Sequence, residues 1–494
     1  MKIKKILIAN RGEIALRVLK TAREMGIQVV TMYAEDDKDL PHALEADESY
    51  SLGSGALKET YLNKEKIISI AKEAKADAIH PGYGFLSENA EFADLVEKNK
   101  LIFIGPTSES IILMGDKIGS KRALEKMNIP MIPGYHGEDQ SIENLAKEAK
   151  KIGFPVLIKA SAGGGGKGMR IVHQESELIE ALEGAKSEAL KAFSNDKVLI
   201  EKYIINPRHI EVQLMSDTHG NHLHFFEREC SIQRRYQKIV EETPAPNLTQ
   251  ELRLKICETA TRISSGINYR GAGTVEFILS PDGSFYFLEM NTRLQVEHPV
   301  TEMVTDSDLV RYQIEVAQGD KIDLKQSDIK QRGHSIECRI YAEDPDQNFM
   351  PSIGTLTAIG NPTLRDTRLD CGFKEGNAVG VNYDPMLAKF IVWGQDRKTA
   401  IEKSLIGLDE VPFLGVKTNR DYLKRILGHK DFIEGKTHTH FIPDHGKDLE
   451  KKELTPKEKA RALAAFILGE QKTIRKTSTS ARYNPWHELT GFRN

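Results

Sequence analysis

Residues 155–172 read PVLIKASAGGGGKGMRIV, two short apolar runs flanking Ser161-Ala162-Gly163-Gly164-Gly165-Gly166-Lys167-Gly168. Pro155–Ala160 predicts a strand carrying Lys159, and Met169–Val172 predicts another. A glycine has no side chain to hold its backbone N–H away from a phosphate oxygen, so such a loop can wrap phosphates. A Walker A loop ends in Lys-Ser or Lys-Thr and opens a helix. Here Gly168 is followed by Met169 and a strand. Strand, glycine loop and strand make a lid over a polyphosphate rather than a cradle at a helix end. A plain hairpin turn is the alternative, but eight such residues exceed what turning alone needs.

Upstream the pattern changes. Lys4–Ala9 predicts a first strand, and Asn10-Arg11-Gly12-Glu13 turns into a helix running to about Met25. Ile27–Tyr33, Ala78–Ile79 and Leu101–Ile104 read as second, third and fourth strands, with helices at Lys64–Lys75 and Ala90–Lys98. Strands alternating with helices predict a doubly wound parallel sheet. The first turn lacks G-x-G-x-x-G, which weakens a dinucleotide reading. The loop His80–Asn89 follows a short strand, where open α/β sheets place ligands. A helix is expected over Gly115–Met127. Downstream, Lys197–Tyr203, His209–Met215 and His222–Cys230 read as longer, hairpin-like strands. The expected architecture is therefore α/β and α+β. An N-terminal doubly wound domain spans 1–115, a central α+β domain 116–332 and a C-terminal β-rich domain 333–445, followed by a tail over 446–494. In the tail, Thr455-Pro456-Lys457-Glu458 predicts a capped helix to about Glu470, and Ile474–Tyr483 reads as a basic linker.

The 494 residues are 39% hydrophobic and 29% charged, and 69 Lys+Arg nearly balance 72 Asp+Glu. That balance predicts neither a nucleic-acid nor a membrane partner. The apolar run Ile6–Ala9 is too short for a signal peptide or a span. Cys230, Cys257, Cys338 and Cys371 form no C-x-x-C pair, so zinc and disulfide frameworks are not expected and a reducing cytoplasm fits.

The chemistry concentrates on a second hairpin. Gly273–Leu279 and Phe285–Met290 are apolar strands joined by Ser280-Pro281-Asp282-Gly283-Ser284. With Asp282-Gly283 as a two-residue loop, Glu276 sits opposite Glu289; a bulged turn at Pro281 would shift the register by one. Like charges facing each other on a sheet are destabilising and call for a cation. Two carboxylates beside nucleotide phosphates suit Mg²⁺. Alternation then aligns Glu289, Asn291 and Arg293, with Gln295 and Glu297 beyond if the chain stays extended. His219, His222 and His224, and likewise Thr437-His438-Thr439-His440, read as surface strand and turn rather than metal sites. The basic run Ser231–Lys238 suits an anionic substrate.

Six of these stretches, in order and spacing, resemble biotin carboxylase. They are Asn10–Ala15, His80–Asn89, Gly163–Gly168, Gln233–Lys238, Glu289–Glu297 and Glu337-Cys338-Arg339, and the match runs from residue 1 to about His445. The resemblance implies an ATP-grasp ligase and a set of roles. Lys117 and Lys159 would contact ATP phosphates beneath a lid that includes Gly163, Gly164, Gly165 and Gly166. Glu201, Lys202 and Ile204 would hold adenine, with His209 and Gln233 near the ribose. Glu276 and Glu289 would bind Mg²⁺ (or Mn²⁺), with Asn291 nearby. Lys238, Arg293, Gln295 and the Val296 backbone would hold bicarbonate. Glu297 would be the general base, and Arg339 would stabilise the biotin enolate. Tyr236 departs from the histidine that many members carry.

The implied reaction joins bicarbonate to biotin at the expense of ATP, through carboxyphosphate. Biotin would be a substrate carried by a separate biotin carboxyl carrier protein, since no Met-Lys-Met turn occurs here. A carboxyltransferase subunit and a homodimer are further expected partners. The tail's Asn484–Phe492 resembles the junction that follows this segment in single-chain acyl-CoA carboxylase α subunits, and contact with a partner subunit is expected there. The final acceptor stays open between acetyl-CoA (as for fatty acid biosynthesis), propionyl-CoA, another acyl-CoA and pyruvate. Another ATP-grasp carboxylate–amine ligase and a non-catalytic nucleotide-binding subunit are the competing readings.

Overall fold

The computed structural model describes residues 2–161, 169–451, 453, 455–457, 459–461, 463 and 464. Strands β1 (Lys5–Ile8), β2 (Gln28–Ala34), β3 (Glu48–Gly53), β4 (Ala78–His80) and β5 (Ile102–Phe103) form a sheet in the order β3-β2-β1-β4-β5, with every pair parallel. The helix Gly12–Glu24 buries Ile14, Ala15, Val18, Leu19 and Ala22, the one-sided spacing that docks a helix on such a sheet. Strand order reverses between β1 and β4, so the loops after them open a crevice. Asn10 bridges that crevice by donating to the Pro81 and Tyr83 carbonyls, each at 2.8 Å. The expected third strand is in fact the fourth. Glu48–Gly53 intervenes as an edge strand, and its sequence ESYSLG is too polar to show an apolar signature.

The expected helix over Gly115–Met127 is found at Lys117–Glu125, and a further helix not read from the sequence, Ser108–Gly115, precedes it. Asp116 breaks them apart, because its extended backbone and its carboxylate cap the second helix at Ile118 N.

Two larger antiparallel sheets follow. The smaller contains β6 (Gly134–Tyr135), β7 (Val156–Ala160), β8 (Arg170–Val172) and β9 (Val198–Lys202) in the order β6-β9-β7-β8. The larger begins with β10 (Arg208–Ser216), β11 (His222–Arg234), β12 (Gln237–Thr243), β13 (Gly271–Leu279), β14 (Phe285–Asn291) and β15 (His334–Tyr341). Its eight strands run β14-β13-β10-β11-β12-β15 and then Met386–Gly394 and Thr367–Cys371. The β-rich C-terminal segment therefore extends the central segment's sheet, and adds three two-stranded sheets of its own.

The hairpin turn corrects the two-residue reading. Ser280 N and Ser284 O pair at 2.8 Å around a three-residue loop with Gly283 at φ +87°. Phe277 then faces Phe287, one out of the expected register, and a bulge at Leu288 restores Glu276 opposite Glu289. Phe287 N also donates to Pro130 O at 2.8 Å on the outer edge, which ties down the bulged strand.

One compact unit spans Met1–Leu449. In the unit after it, described residues between 456 and 464 are helical, in line with the predicted start at Thr455. The readings for Ile474–Tyr483 and Asn484–Phe492, and the helix end near Glu470, lie outside the described residues. Among the described residues no helix is long and apolar enough to cross a membrane.

Candidate active site

A cavity of about 470 Å³ lies between the small sheet and the large one. One wall belongs to the small sheet and the helix before it. Strand alternation brings Lys159 of β7 and Glu201 of β9 to the same side, and Lys121 of the helix Lys117–Glu125 joins them. Both lysines pair with the buried Glu201 carboxylate, Lys159 at 2.5 Å. Leu157, Ile171, Leu199 and Ile204 add apolar surface suited to a flat base. The Lys202 side chain turns elsewhere, donating to the Gly153 and Phe154 carbonyls at 2.9 Å, so only its remaining surface faces the cavity. The Lys117 side chain and Gly163–Gly166 lie outside the described residues.

The large sheet supplies the floor. Across four neighbouring strands Glu289, Glu276, Glu211 and Arg228 stand directly opposite one another. Glu289 is exposed to the cavity, and the other three are buried. Lys238 crosses this row and donates to Glu211 at 2.6 Å, Glu276 at 2.8 Å and Glu297 at 2.7 Å. Arg228, fully buried, holds the other Glu211 oxygen at 2.6 Å. Glu276 further accepts from Asn291 at 2.8 Å and lies 2.9 Å from His209, whose Nδ1 meets Gln233 at 2.8 Å. Burial raises the Glu276 and Glu211 carboxyls, but Lys238 and its neighbours outweigh it and leave both below the ordinary carboxylate range.

At the far end the chain leaves β14. Arg293 donates to Gln295 at 3.1 Å and Asn291 at 3.2 Å. It also meets Glu88 at 2.9 Å, so the loop after β4 buttresses this corner. Glu297 sits at the start of the helix His298–Thr305, fully buried, with one oxygen on Lys238 and the other 2.8 Å from Arg339 Nη2. Burial and the Glu211 charge push this carboxyl up, yet Lys238, Arg339 and Arg228 bring it below its ordinary value. Arg339 in turn donates from Nε to Glu241 at 2.6 Å.

Lys159, Glu201, Lys202, Ile204, His209, Gln233, Lys238, Glu276, Glu289, Asn291, Arg293, Gln295, Val296 and Arg339 all line this single cavity. Glu297 lies just beneath it. Tyr236 is at the mouth, 63% exposed, in a two-residue turn with Arg235 in which both have positive φ. Sequence reasoning missed Lys121, Tyr203, Thr439 and His440, which also line the cavity, and Glu211, Arg228 and Glu241, which hold its cations. Alternation along His209-Ile210-Glu211 could have exposed Glu211. Nothing local announces His440, whose Nε2 is 3.0 Å from Tyr203 Oη across 237 residues.

Three family models cover most of the chain. The biotin carboxylase N-terminal domain matches residues 2–111, the ATP-binding domain of the carbamoyl-phosphate synthase L chain matches 116–325, and the biotin carboxylase C-terminal domain matches 337–444. Biotin carboxylase 2 of Bacillus subtilis is 48% identical over 441 residues, which is 89% of this chain and 99% of that protein. The chain belongs to the biotin carboxylase family. The mitochondrial methylcrotonoyl-CoA carboxylase subunit alpha of Dictyostelium discoideum is 51% identical over 492 residues, 99% of this chain and 70% of its own length. Among solved structures, the biotin carboxylase domain dimer of Hydrogenobacter thermophilus 2-oxoglutarate carboxylase aligns with a TM-score of 0.88 at 45% identity. That alignment covers 92% of this chain and all of the other, which was crystallised with MgADP, ADP and bicarbonate. This biotin carboxylase is thus an ATP-grasp ligase that carboxylates biotin, with the three-part architecture of its family.

Proposed function

We propose that the cavity divides the half-reaction between its two ends. At the nucleotide end, Ile204 and the apolar wall receive adenine, with Glu201 and Lys202 beside it and His209 and Gln233 near the ribose. Lys117 and Lys159 meet the phosphates under the Gly163–Gly166 lid. The donor set of Glu276, Glu289 and Asn291 consists of hard oxygens on one wall, which fits Mg²⁺ or Mn²⁺. An ion held by these residues would offset negative charge on the transferred phosphoryl group. Lys238, Arg293, Gln295 and the Val296 backbone hold bicarbonate. Glu297 removes its proton, and the bicarbonate oxygen then attacks the γ-phosphorus of ATP to give ADP and carboxyphosphate. Carboxyphosphate breaks into CO₂ and phosphate, and the phosphate takes the ureido proton of biotin. Arg339 stabilises the enolate while nitrogen attacks CO₂.

The observation carrying this reading is that Lys238 and Arg339 converge on the buried Glu297. A base this well paired is ionised before substrate arrives. An incoming anion that draws either cation away raises the affinity of Glu297 for a proton when it is needed. Steady-state ATP cleavage tests the reading. It should depend on bicarbonate and rise with free biotin, and cleavage indifferent to both would overturn it.

The biotin is proposed to reach the cavity on a carrier, with a carboxyltransferase subunit completing the enzyme. A homodimer is proposed because the Hydrogenobacter domain is described as one. The four cysteines are free thiols, which suits a reducing compartment such as the cytoplasm. An acyl-CoA acceptor is favoured over pyruvate. The subunit alpha of methylcrotonoyl-CoA carboxylase from Dictyostelium and from Rattus norvegicus is 51% and 50% identical over 99% of this chain. Acetyl-, propionyl- and methylcrotonoyl-CoA, each supplied with the carboxyltransferase of the same organism, would discriminate among acyl chains.

A further inference from the structure

Beneath Arg339 lies a second layer of charge that the reaction as written does not use. Glu241 of β12 stands directly opposite Glu337 of β15, and Arg339 stands opposite Lys389 of the strand Met386–Gly394. Glu337 and Arg339 are two apart on one strand, so all four side chains share a face of the sheet. The helix His298–Thr305 and its cap Glu297 cover that face. Glu241, Glu337 and Lys389 are fully buried.

The partners are unequal. Glu241 gives one oxygen to Arg339 Nε at 2.6 Å, and its Oε2 has no hydrogen-bond partner among the described residues. Neither oxygen of Glu337 has one. Lys389 is turned away, donating to Val296 O at 2.8 Å, with Glu13 at 3.2 Å and Asp370 at 3.8 Å. Arg339 is already shared between Glu241 and Glu297. The charges reaching Glu337 are those of Lys389, Glu241, Arg339 and Glu297. His298 on the covering helix stays neutral, because burial lowers its pKa. An ionised carboxylate buried with no donor is far more costly than the neutral acid. Two carboxyls opposite each other cannot both ionise cheaply. A proton on Glu337 also supplies the donor that Glu241 Oε2 lacks.

We propose that Glu241 and Glu337 are a buried carboxyl pair holding one proton between them, and that they are positioning residues for Arg339. Glu337 keeps the proton, and Glu241 stays ionised and holds the guanidinium. Burial raises both carboxyls, but Arg339 pulls Glu241 back to about 7 while Glu337 is left well beyond its ordinary range, so Glu337 is the one to keep the proton. When the pair loses its shared proton at alkaline pH, two adjacent anions compete for Arg339 and draw it away from the enolate. This inference rests on the reading of Arg339 given above.

The experiment uses the full chain with free biotin, measuring biotin carboxylation and bicarbonate-dependent ATP cleavage from pH 6 to 10. Glu241→Gln should lower biotin carboxylation at least tenfold more than ATP cleavage, because it loosens Arg339 and spares Glu297. Glu337→Gln, which mimics the neutral acid at the same size, should move the alkaline limit of biotin carboxylation upward by a pH unit or more. It should also retain more activity than Glu337→Ala, which a role in filling space alone would not require in combination with that shift. Difference infrared spectra should show a protonated carboxyl band in the parent that Glu337→Gln abolishes. An unchanged alkaline limit together with an unchanged infrared band would overturn the pair. If instead Arg339→Ala leaves biotin carboxylation intact while the infrared band behaves as expected, the shared proton stands and the positioning role falls with the reading of Arg339.

Discussion

At the end of the cavity proposed for the nucleotide one carboxylate, Glu201, takes two lysines, Lys121 and Lys159; at the end proposed for bicarbonate one lysine, Lys238, takes three carboxylates, Glu211, Glu276 and Glu297. The two ends therefore respond differently to an anion. In the proposed reading, phosphates entering at Glu201 would compete for lysines that a single carboxylate holds, and a lysine would turn toward them at small cost. At Lys238 the cation is what keeps three buried negative groups tolerable, so its removal disrupts fold and chemistry together. In the proposed reading both ends meet an anion with lysine, but only Lys238 must go on holding three buried carboxylates while it does so.

Lys238→Met puts that contrast under the heaviest load. It should lower turnover by at least about a thousandfold and destabilise the fold by about 3–5 kcal/mol, as loss of one partner of a buried ion pair does. Denaturant unfolding and single-turnover ATP cleavage measure the two effects. Near-normal stability would show that the lysine is not structural.

Glu297→Gln and Arg339→Ala come next, because both groups lie at the same end and differ in timing. Glu297→Gln should reduce bicarbonate-dependent ATP cleavage and biotin carboxylation alike, on the order of a hundredfold or more, since proton removal comes first. Arg339→Ala should reduce biotin carboxylation well beyond ATP cleavage. Equal losses in both assays for both variants would collapse the distinction.

Glu289→Gln tests the metal assignment where the row of carboxylates meets the cavity. Turnover should fall about tenfold to a hundredfold at modest Mg²⁺ and recover partly at high Mg²⁺. Stability should hold, because one of two opposed like charges is gone. Ordinary activity at modest Mg²⁺ would remove Glu289 from the site.

Lys159→Met should have the mildest effect, about a tenfold rise in KM for ATP with folding intact, since Lys121 still pairs with Glu201. A stability loss as large as that of Lys238→Met would erase the difference between the two ends. Acid titration sharpens the same point. Glu211 is brought down to about 2, because Lys238 and Arg228 outweigh its burial. Its contribution to stability is fully present above the ordinary carboxylate value and is lost as pH falls through about 2. With Lys238 replaced, that loss should begin at higher pH.

The parts legible in the sequence were those whose signals are local. The helix Ala90–Lys98 begins at an Asn89 cap, the Asp282-Gly283 turn announces a hairpin, and alternation on either side of it places Glu276 opposite Glu289. Even there the agreement came by another route, with a three-residue loop offset by a bulge at Leu288. The edge strand Glu48–Gly53 was invisible because edge strands do not need a buried face. The helix Ser108–Gly115 went unread because it is only eight residues long and runs up to the Asp116 cap of the next helix.

The sequence by itself determined most of the order of elements, the two strands that flank the glycine run and the facing pair Glu276 and Glu289. Those depend on periodicity, on turn chemistry and on side-chain type, all of which act over a few residues. Only the tertiary structure decided who shares a charge with whom. Lys238 meets Glu297 across 59 residues, and Arg339 meets Glu241 across 98. Whether a buried glutamate is a base, a clamp or a proton store depends on the count of cations around it, and sheet register sets that count by bringing distant strands together.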